Sequence, residues 1–171
     1  MLMSSAAKLK PLHLNMMNLV MFQGVWWLSI LYQNSALWLT VPLLLLHFYL
    51  SANPLQDLKL MLKVAGFGFV FDCALTLTGV FQFQQFPIWL LLIWCHFAIS
   101  LRYSLMFTQK LNWQLNALLG GVFGCLSYLA GARLEAVILP LELFYSALVL
   151  FSVWLVMFPM FVNVSRPQPK S

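Results

Sequence analysis

The stretch LFYSALVLFSVWLVMFPMFV, residues 143–162, contains no charged side chain over twenty consecutive positions. A helix needs about 20 mostly apolar residues to cross the hydrocarbon core of a bilayer. The quoted stretch has that length and that composition. It therefore predicts a transmembrane helix, and this prediction decides the class of fold.

Five further segments upstream share this apolar character. The six predicted spans are Asn15 to Tyr32, Ala36 to Ala52, Leu62 to Phe81, Pro87 to Phe107, Leu115 to Gly131 and Ala136 to Val162. They fill most of the 171 residues, and hydrophobic residues make up 63% of the chain, which leaves no room for a soluble domain. We predict an all-α integral membrane protein, a compact bundle of six transmembrane helices, with residues 1–14 as an arm, 15–162 as the membrane domain and 163–171 as a tail.

The first span also has an alternative interpretation as a cleaved signal peptide, because Lys8 and Lys10 precede it. Against that interpretation, Asn15, Asn18 and Gln23 interrupt its apolar core. We favour an uncleaved first helix.

The cations predict the orientation of the bundle. If the N-terminus is cytoplasmic, eight of the nine Lys and Arg residues fall on the cytoplasmic side and only Arg133 falls on the other. The eight are Lys8, Lys10, Lys59, Lys63, Arg102, Lys110, Arg166 and Lys170. Short cytoplasmic loops are enriched in Lys and Arg, so both ends of the chain are predicted to be cytoplasmic. Because the cations do not cluster on one face, we expect membrane lipids as partners, and not nucleic acid.

Small and amide side chains predict how the helices meet. One stripe of small residues recurs at spacings of three and four in the fifth span, and it consists of Ala117, Gly120, Gly124, Ser127 and Gly131. Such a stripe lets two helix backbones approach closely, and the alternative is a substrate path along bare glycine backbone. In the first span, Asn15, Asn18 and Gln23 are predicted to form interhelical hydrogen bonds, with the lining of a ligand site as the alternative.

Ionisable residues inside a bilayer are costly and mark candidate sites. Asp72 and His96 lie at similar depths in the third and fourth spans, and Arg102 lies within reach along the fourth. We predict that these three form a buried polar cluster, which is either a clamp between helices or a proton relay or ligand site. Glu142 is expected to pair with Arg133 across the last outer link. No ligand spacing for a metal is visible, and no cofactor is predicted.

Several motifs together resemble a known family. They are Asn18-Leu-Val-Met-Phe22-Gln23 with Trp26-Trp27, Asp72-Cys-Ala-Leu75 with Gly79, Pro87-Ile-Trp89 running to Trp94-Cys-His-Phe97-Ala98, and Gly120-Gly121 running to Ser127-Tyr128-Leu-Ala-Gly131. The pattern resembles a family of short bacterial inner-membrane proteins classed only as a domain of unknown function. It departs from that family at Gly124-Cys125, where a Gly-Pro is frequent, and at Glu135, where a Gly is frequent.

The resemblance implies a six-span protein of the bacterial inner membrane with no established activity. Genes for cyclopropane-fatty-acid-synthase-like enzymes are frequent neighbours in the family, which implies a connection with the modification of membrane lipids. We therefore expect a non-catalytic accessory protein or scaffold, which acts with a membrane protein partner or as a homo-oligomer. The alternatives are a small proton-coupled transporter or channel that uses Asp72 and His96, and an intramembrane enzyme acting on lipid.

Overall fold

The computed structural model describes residues 11–167, most of which fold into helices. The seven α-helices are α1 Pro11–Tyr32, α2 Leu37–Leu50, α3 Pro54–Leu77, α4 Ile88–Ser100, α5 Trp113–Leu119, α6 Cys125–Arg133 and α7 Leu143–Ser165. A π-helical turn, Gly120–Gly124, joins α5 to α6, and we call the continuous helix Trp113–Arg133 the α5–α6 rod. The prediction of an all-α protein is confirmed for the described residues.

Several helices are suited to a membrane by length and composition. Within residues 11–167 four helical stretches qualify, and they are Leu12–Leu50, Pro54–Leu77, Trp113–Arg133 and Leu143–Ser165. A fifth helix, α4, is apolar but shorter. Large apolar side chains are exposed on the outside of the bundle, with Leu77 at 89% and Trp38 at 73%. A water-soluble monomer rarely exposes so much apolar surface, so the helices indicate a membrane protein.

The stretch Leu12–Leu50 contains a reversal of the chain. Gln33 has a φ of 48°, a left-handed conformation that interrupts α1, and a short 3-10 turn, Gln33–Ala36, leads into α2. Side-chain contacts with the segment around α4 show the reversal. Asn18 of α1 binds Ser104 beyond the end of α4, and the ring of His47 near the end of α2 lies 4.9 Å from that of Tyr103. Helices α1 and α2 therefore run in opposite directions.

Helix α4 lies at the centre of the bundle. Ten of its thirteen residues are buried, and it packs against α1, α2 and α3. At 1.5 Å per residue it is only about 20 Å long, which is shorter than a hydrocarbon core of about 30 Å. The chain continues beyond it through turns as far as Lys110. Irregular backbone at membrane depth is tolerated where protein surrounds it, and Leu101 and Thr108 in these turns are indeed buried.

Most of the described cations lie toward one end of the bundle, which we call the basic end. Its cations are Lys59 and Lys63 in the first three turns of α3, Arg102 and Lys110 after α4, and Arg166 after α7. The Gln109 amide joins the segment after α4 to the end of α7, since it donates to Leu101 O at 2.9 Å and to Ser165 Oγ at 3.1 Å.

The opposite end contains the other set of connections. Asn34 Nδ2 donates to Phe86 O at 3.1 Å, and an isolated antiparallel bridge joins Gln82 to Ile138. Arg133 closes α6 in the same region.

Three helix boundaries differ by seven or eight residues from the sequence prediction. Helix α4 ends at Ser100 and not at Phe107, and turns follow it. Helix α3 begins at Pro54, eight residues before the predicted Leu62, because proline suits the first turn of a helix and Asn53 precedes it in a non-helical conformation. The last helix begins at Leu143 and not at Ala136. Residues 136–140 instead run beside the α3–α4 connection, where Ile138 and Gln82 exchange two backbone hydrogen bonds of 2.9 Å.

Candidate functional site

A cavity of about 530 Å³ lies among α1, α4, the α5–α6 rod and α7. We call it the aromatic cavity, after the side chains that form most of its wall. They include Phe22, Trp26, Trp89, Trp94, Phe97 and Trp154. Its few polar side chains include Gln23, Ser127 and Tyr128. A large apolar space with few polar groups is the usual form of a small-molecule site.

The predicted stripe of small residues lies between this cavity and α7. A Cβ atom added at Gly124 would overlap the indole of Trp154, and one added at Gly120 would overlap Phe158. The two glycines also line the cavity. Gly120 and Gly124 thus pack against α7, and their backbone also borders an open space.

One hydrogen bond joins α1 to the α5–α6 rod across the cavity. Trp26 Nε1 donates to Ser127 Oγ at 2.9 Å. Gly131 of the rod is also buried, and Ile30 of α1 lies beside it, while Ala117 is half-buried. Otherwise α1 packs mainly on α4 and α2, and the rod packs mainly on α7. The gap between these two groups of helices is the space that the cavity occupies.

Asp72 lies behind the wall of the cavity, and only 3% of it is exposed. Trp94 Nε1 donates to its Oδ2 at 2.6 Å, and the Tyr128 hydroxyl donates to Oδ1 at 2.8 Å and to Oδ2 at 2.9 Å. Stacking fixes both donors, since Trp94 lies parallel to Trp154 and Tyr128 lies parallel to Phe81. Both donors line the cavity, so Asp72 orients two aromatic residues of its wall.

The structure does not bring Asp72, His96 and Arg102 together. His96 Nε2 lies 3.3 Å from the backbone oxygen of Thr40, which places it against α2. Arg102 Nη1 lies 3.2 Å from Oδ1 of Asp57. On α3, Asp57 and Asp72 are fifteen residues apart, which is about 22 Å. The predicted residues thus belong to three separate sets of contacts.

Asp57 is the centre of a second buried network, which sequence analysis did not identify. It is fully buried, and Ser51 Oγ and the Tyr103 hydroxyl donate to its Oδ2 at 2.6 Å and 2.7 Å. His47 Nε2 lies 3.3 Å from the same oxygen, and Arg102 faces the other. The signal in the sequence is an acidic residue in the first turn of a helix, where the dipole favours negative charge. The network ties the ends of α2, α3 and α4 together at the basic end.

The remaining predicted residues have separate positions. Asn18 Oδ1 accepts a hydrogen bond of 2.6 Å from Ser104 Oγ, whereas Gln23 is exposed in the cavity. Asn15 is half-buried. Arg133 and Glu142 are both exposed, and the ion pairs found among residues 11–167 do not include them.

No three His, Cys, Asp or Glu side chains of residues 11–167 are grouped so as to hold a metal ion. Asp57 and His47 provide two such groups, but the carboxylate is already occupied by Arg102 and the hydroxyl donors. The chemistry available at this network is therefore hydrogen bonding and charge pairing.

Comparison with protein families gives one match, to a family described as a protein of unknown function (DUF2878), over residues 15–160. No curated protein and no solved structure matches the chain.

Proposed function

We propose that this chain, which belongs to the DUF2878 family of unknown function, is a multi-pass membrane protein whose aromatic cavity binds an acyl chain of a membrane lipid. The observation that carries the proposal is the cavity itself. Its volume of about 530 Å³ falls in the range of roughly 300–1,000 Å³ that is usual for ligand sites. Its wall is mainly aromatic and aliphatic, which suits a hydrocarbon chain.

The surroundings of the cavity support a lipid as its occupant. In a membrane, hydrocarbon chains surround the helices and take the place of water. Apolar cavities do not hold water well, because water there lacks hydrogen-bond partners. The gap between α1 and the α5–α6 rod provides an entry from the side, and the Trp26–Ser127 hydrogen bond is its main polar crossing.

We place the chain in the bacterial inner membrane with six crossings and both ends cytoplasmic. The reversal at Gln33 supports this topology because it makes α1 and α2 two antiparallel helices, and so two crossings, instead of one long helix. The location of five described cations toward the basic end, with Arg133 at the other, supports the orientation through the positive-inside rule.

The role that fits these features is that of a non-catalytic accessory protein, which holds a lipid chain for modification by a membrane partner or within a homo-oligomer. The cavity presents mainly aromatic and aliphatic side chains and a few uncharged polar groups to its contents, and the two buried carboxylates are both engaged by protein donors. Holding and orienting a chain is what such a wall can do.

The experiment that tests this function uses the full chain in nanodiscs with a phospholipid that carries a diazirine on one acyl chain. After irradiation, we expect the label on cavity-lining peptides of α1, α4 and α6. Ala130→Trp fills the cavity from the rod and should reduce labelling at these peptides several-fold, whereas Ala74→Trp on the exposed face of α3 should not. Equal labelling of both variants would contradict the proposal.

A second candidate function, proton-coupled transport, rests on Asp72. Its carboxylate binds Tyr128, which lines the cavity, so a proton on Asp72 would be coupled to the position of a wall residue. The test is flux in proteoliposomes under an imposed pH gradient. Solute flux that is lost in Asp72→Asn, with the protein still folded, would favour transport over lipid binding alone.

A further inference from the structure

Two hydrogen-bond donors on α1 face the aromatic cavity and have no partner in the described part of the chain. Gln23 and Trp27 are four residues apart, so they share one face of the helix. Both line the cavity, and both are exposed, Trp27 to 51%. Within residues 11–167, neither side chain forms a hydrogen bond, whereas the neighbouring Trp26 donates to Ser127.

These donors lie away from the polar ends of α1. Asn18, bound to Ser104, marks the basic end, and Asn34 marks the opposite end. At 1.5 Å per residue, Gln23 is about 7.5 Å from Asn18 along the helix, and Trp27 is about 10 Å from Asn34. An N–H group without a partner at such depth costs free energy, because hydrocarbon offers no acceptor. The natural way to remove this cost is an acceptor on the molecule that fills the cavity.

We infer that the lipid chain bound in the aromatic cavity carries a carbonyl oxygen, which accepts hydrogen bonds from the Gln23 amide and the Trp27 indole. The inference rests on the proposed lipid binding and specifies the class of ligand. A carbonyl suits the site because both groups offer N–H donors, and the aromatic wall accommodates the hydrocarbon on either side of it. Such a carbonyl has two sources, which are the ester of a glycerolipid and a ketone within the chain itself.

The experiment is a competition in nanodiscs that contain the full chain. An octadecyl hydrocarbon probe with a diazirine is irradiated in the presence of octadecane, methyl octadecanoate or octadecan-9-one. On the natural protein, at least one of the two carbonyl compounds should compete roughly three- to tenfold better than octadecane, which is the worth of a typical net hydrogen bond. A better ester identifies the glycerolipid source, and a better ketone identifies a carbonyl within the chain.

Variants assign the effect to the two residues. Gln23→Leu with Trp27→Phe removes both donors and keeps apolar side chains, so the advantage of the carbonyl compound should disappear while octadecane competes as before. Gln114→Leu with Trp113→Phe makes the same changes at exposed positions outside the cavity wall and should keep the advantage.

Two results would overturn the inference alone, with lipid binding intact. One is equal competition by all three compounds, and the other is an advantage that survives in the double variant of Gln23 and Trp27. If the probe does not label the cavity of the natural protein at all, the proposed lipid binding itself fails.

Discussion

The indole Nε1 of Trp94 donates a 2.6 Å hydrogen bond to Oδ2 of Asp72, which joins the fourth helix to the third near the middle of the bundle. A single acidic side chain thus holds two aromatic residues of the cavity wall, because Tyr128 donates to the same carboxyl group. Its loss should therefore affect the stability of the bundle and the shape of the cavity together.

The first prediction concerns the replacement of Asp72. Asp72→Leu leaves the donors of Trp94 and Tyr128 unpaired, and each unpaired buried donor costs about 1–3 kcal/mol. Asp72→Asn keeps an acceptor oxygen and should cost less. We expect the melting temperature in detergent to fall in the order natural protein, Asp72→Asn, Asp72→Leu.

The neighbouring Cys73→Ala serves as a control, since Cys73 is only half-buried. Melting temperatures that are equal for Asp72→Asn and Asp72→Leu would show that the acceptor is unimportant. If Asp72→Asn accumulates and melts normally but is inactive in transport, the interpretation of Asp72 as a clamp is wrong and a proton relay is favoured.

The second prediction concerns Asp57. Asp57→Asn removes the charge that faces Arg102 and weakens the hydrogen bonds from Ser51 and Tyr103. Removing one partner of a fully buried ion pair costs about 3–5 kcal/mol of folding free energy. We expect a smaller destabilisation here, because Arg102 is 25% exposed and water can hydrate its guanidinium group once the charge of Asp57 is gone. Chemical denaturation in mixed micelles measures the free energy of unfolding.

A double-mutant cycle with Arg102→Gln separates the ion pair from the hydroxyl contacts. A coupling free energy near zero between positions 57 and 102 would mean that the 3.2 Å ion pair does not contribute to stability.

The sequence predicted the positions of the helices better than the contacts between them, and Asp72 shows why. The apolar length that defines a membrane helix is a local property, so each predicted span overlaps a helix of the structure. Which face of a helix meets which neighbour is instead set by packing against segments that are distant in the sequence. Residues two positions apart in an α-helix point in directions that differ by about 200° around the helix axis. When Trp94 faces Asp72, His96 therefore faces the other way, toward Thr40 of α2. Equal depth alone therefore could not identify the partner.

The Asp57 network was missed for a related reason. In the sequence, Asp57 looks like an ordinary polar residue of a short connection between spans. Its burial depends on Arg102 and Tyr103, which follow α4 some 45 residues later and fold back over the start of α3. The cavity was likewise beyond prediction, because it is the space left between α1 and the α5–α6 rod and belongs to no single segment.

The third prediction compares two glycine positions within helices. Gly124→Ala should destabilise the protein because the new Cβ would overlap the Trp154 indole. Gly66→Ala lies on an exposed face of α3 with no neighbouring atom within 4 Å, so it should be neutral or stabilise the helix by up to about 1 kcal/mol. The melting temperature of Gly124→Ala should fall, whereas that of Gly66→Ala should stay the same or rise.

The larger substitution Gly124→Leu should lower the melting temperature further. If it melts like the natural protein, the contact of the α5–α6 rod with α7 is not as close as the structure indicates.

The last prediction concerns the proposed topology, with the basic end in the cytoplasm. Lys110 follows α4 at the basic end, and Glu135 follows α6 at the opposite end, and both side chains are exposed. In a variant without the native cysteines Cys73, Cys95 and Cys125, a single cysteine is placed at either position and treated with a membrane-impermeant thiol reagent. In bacterial spheroplasts, Glu135→Cys should react from outside, while Lys110→Cys should react only after the membrane is opened. The reverse pattern would mean that the orientation is inverted. Reaction of both variants in closed spheroplasts would place positions 110 and 135 on the same side of the membrane, which contradicts the proposed topology because one crossing, the α5–α6 rod, separates them there.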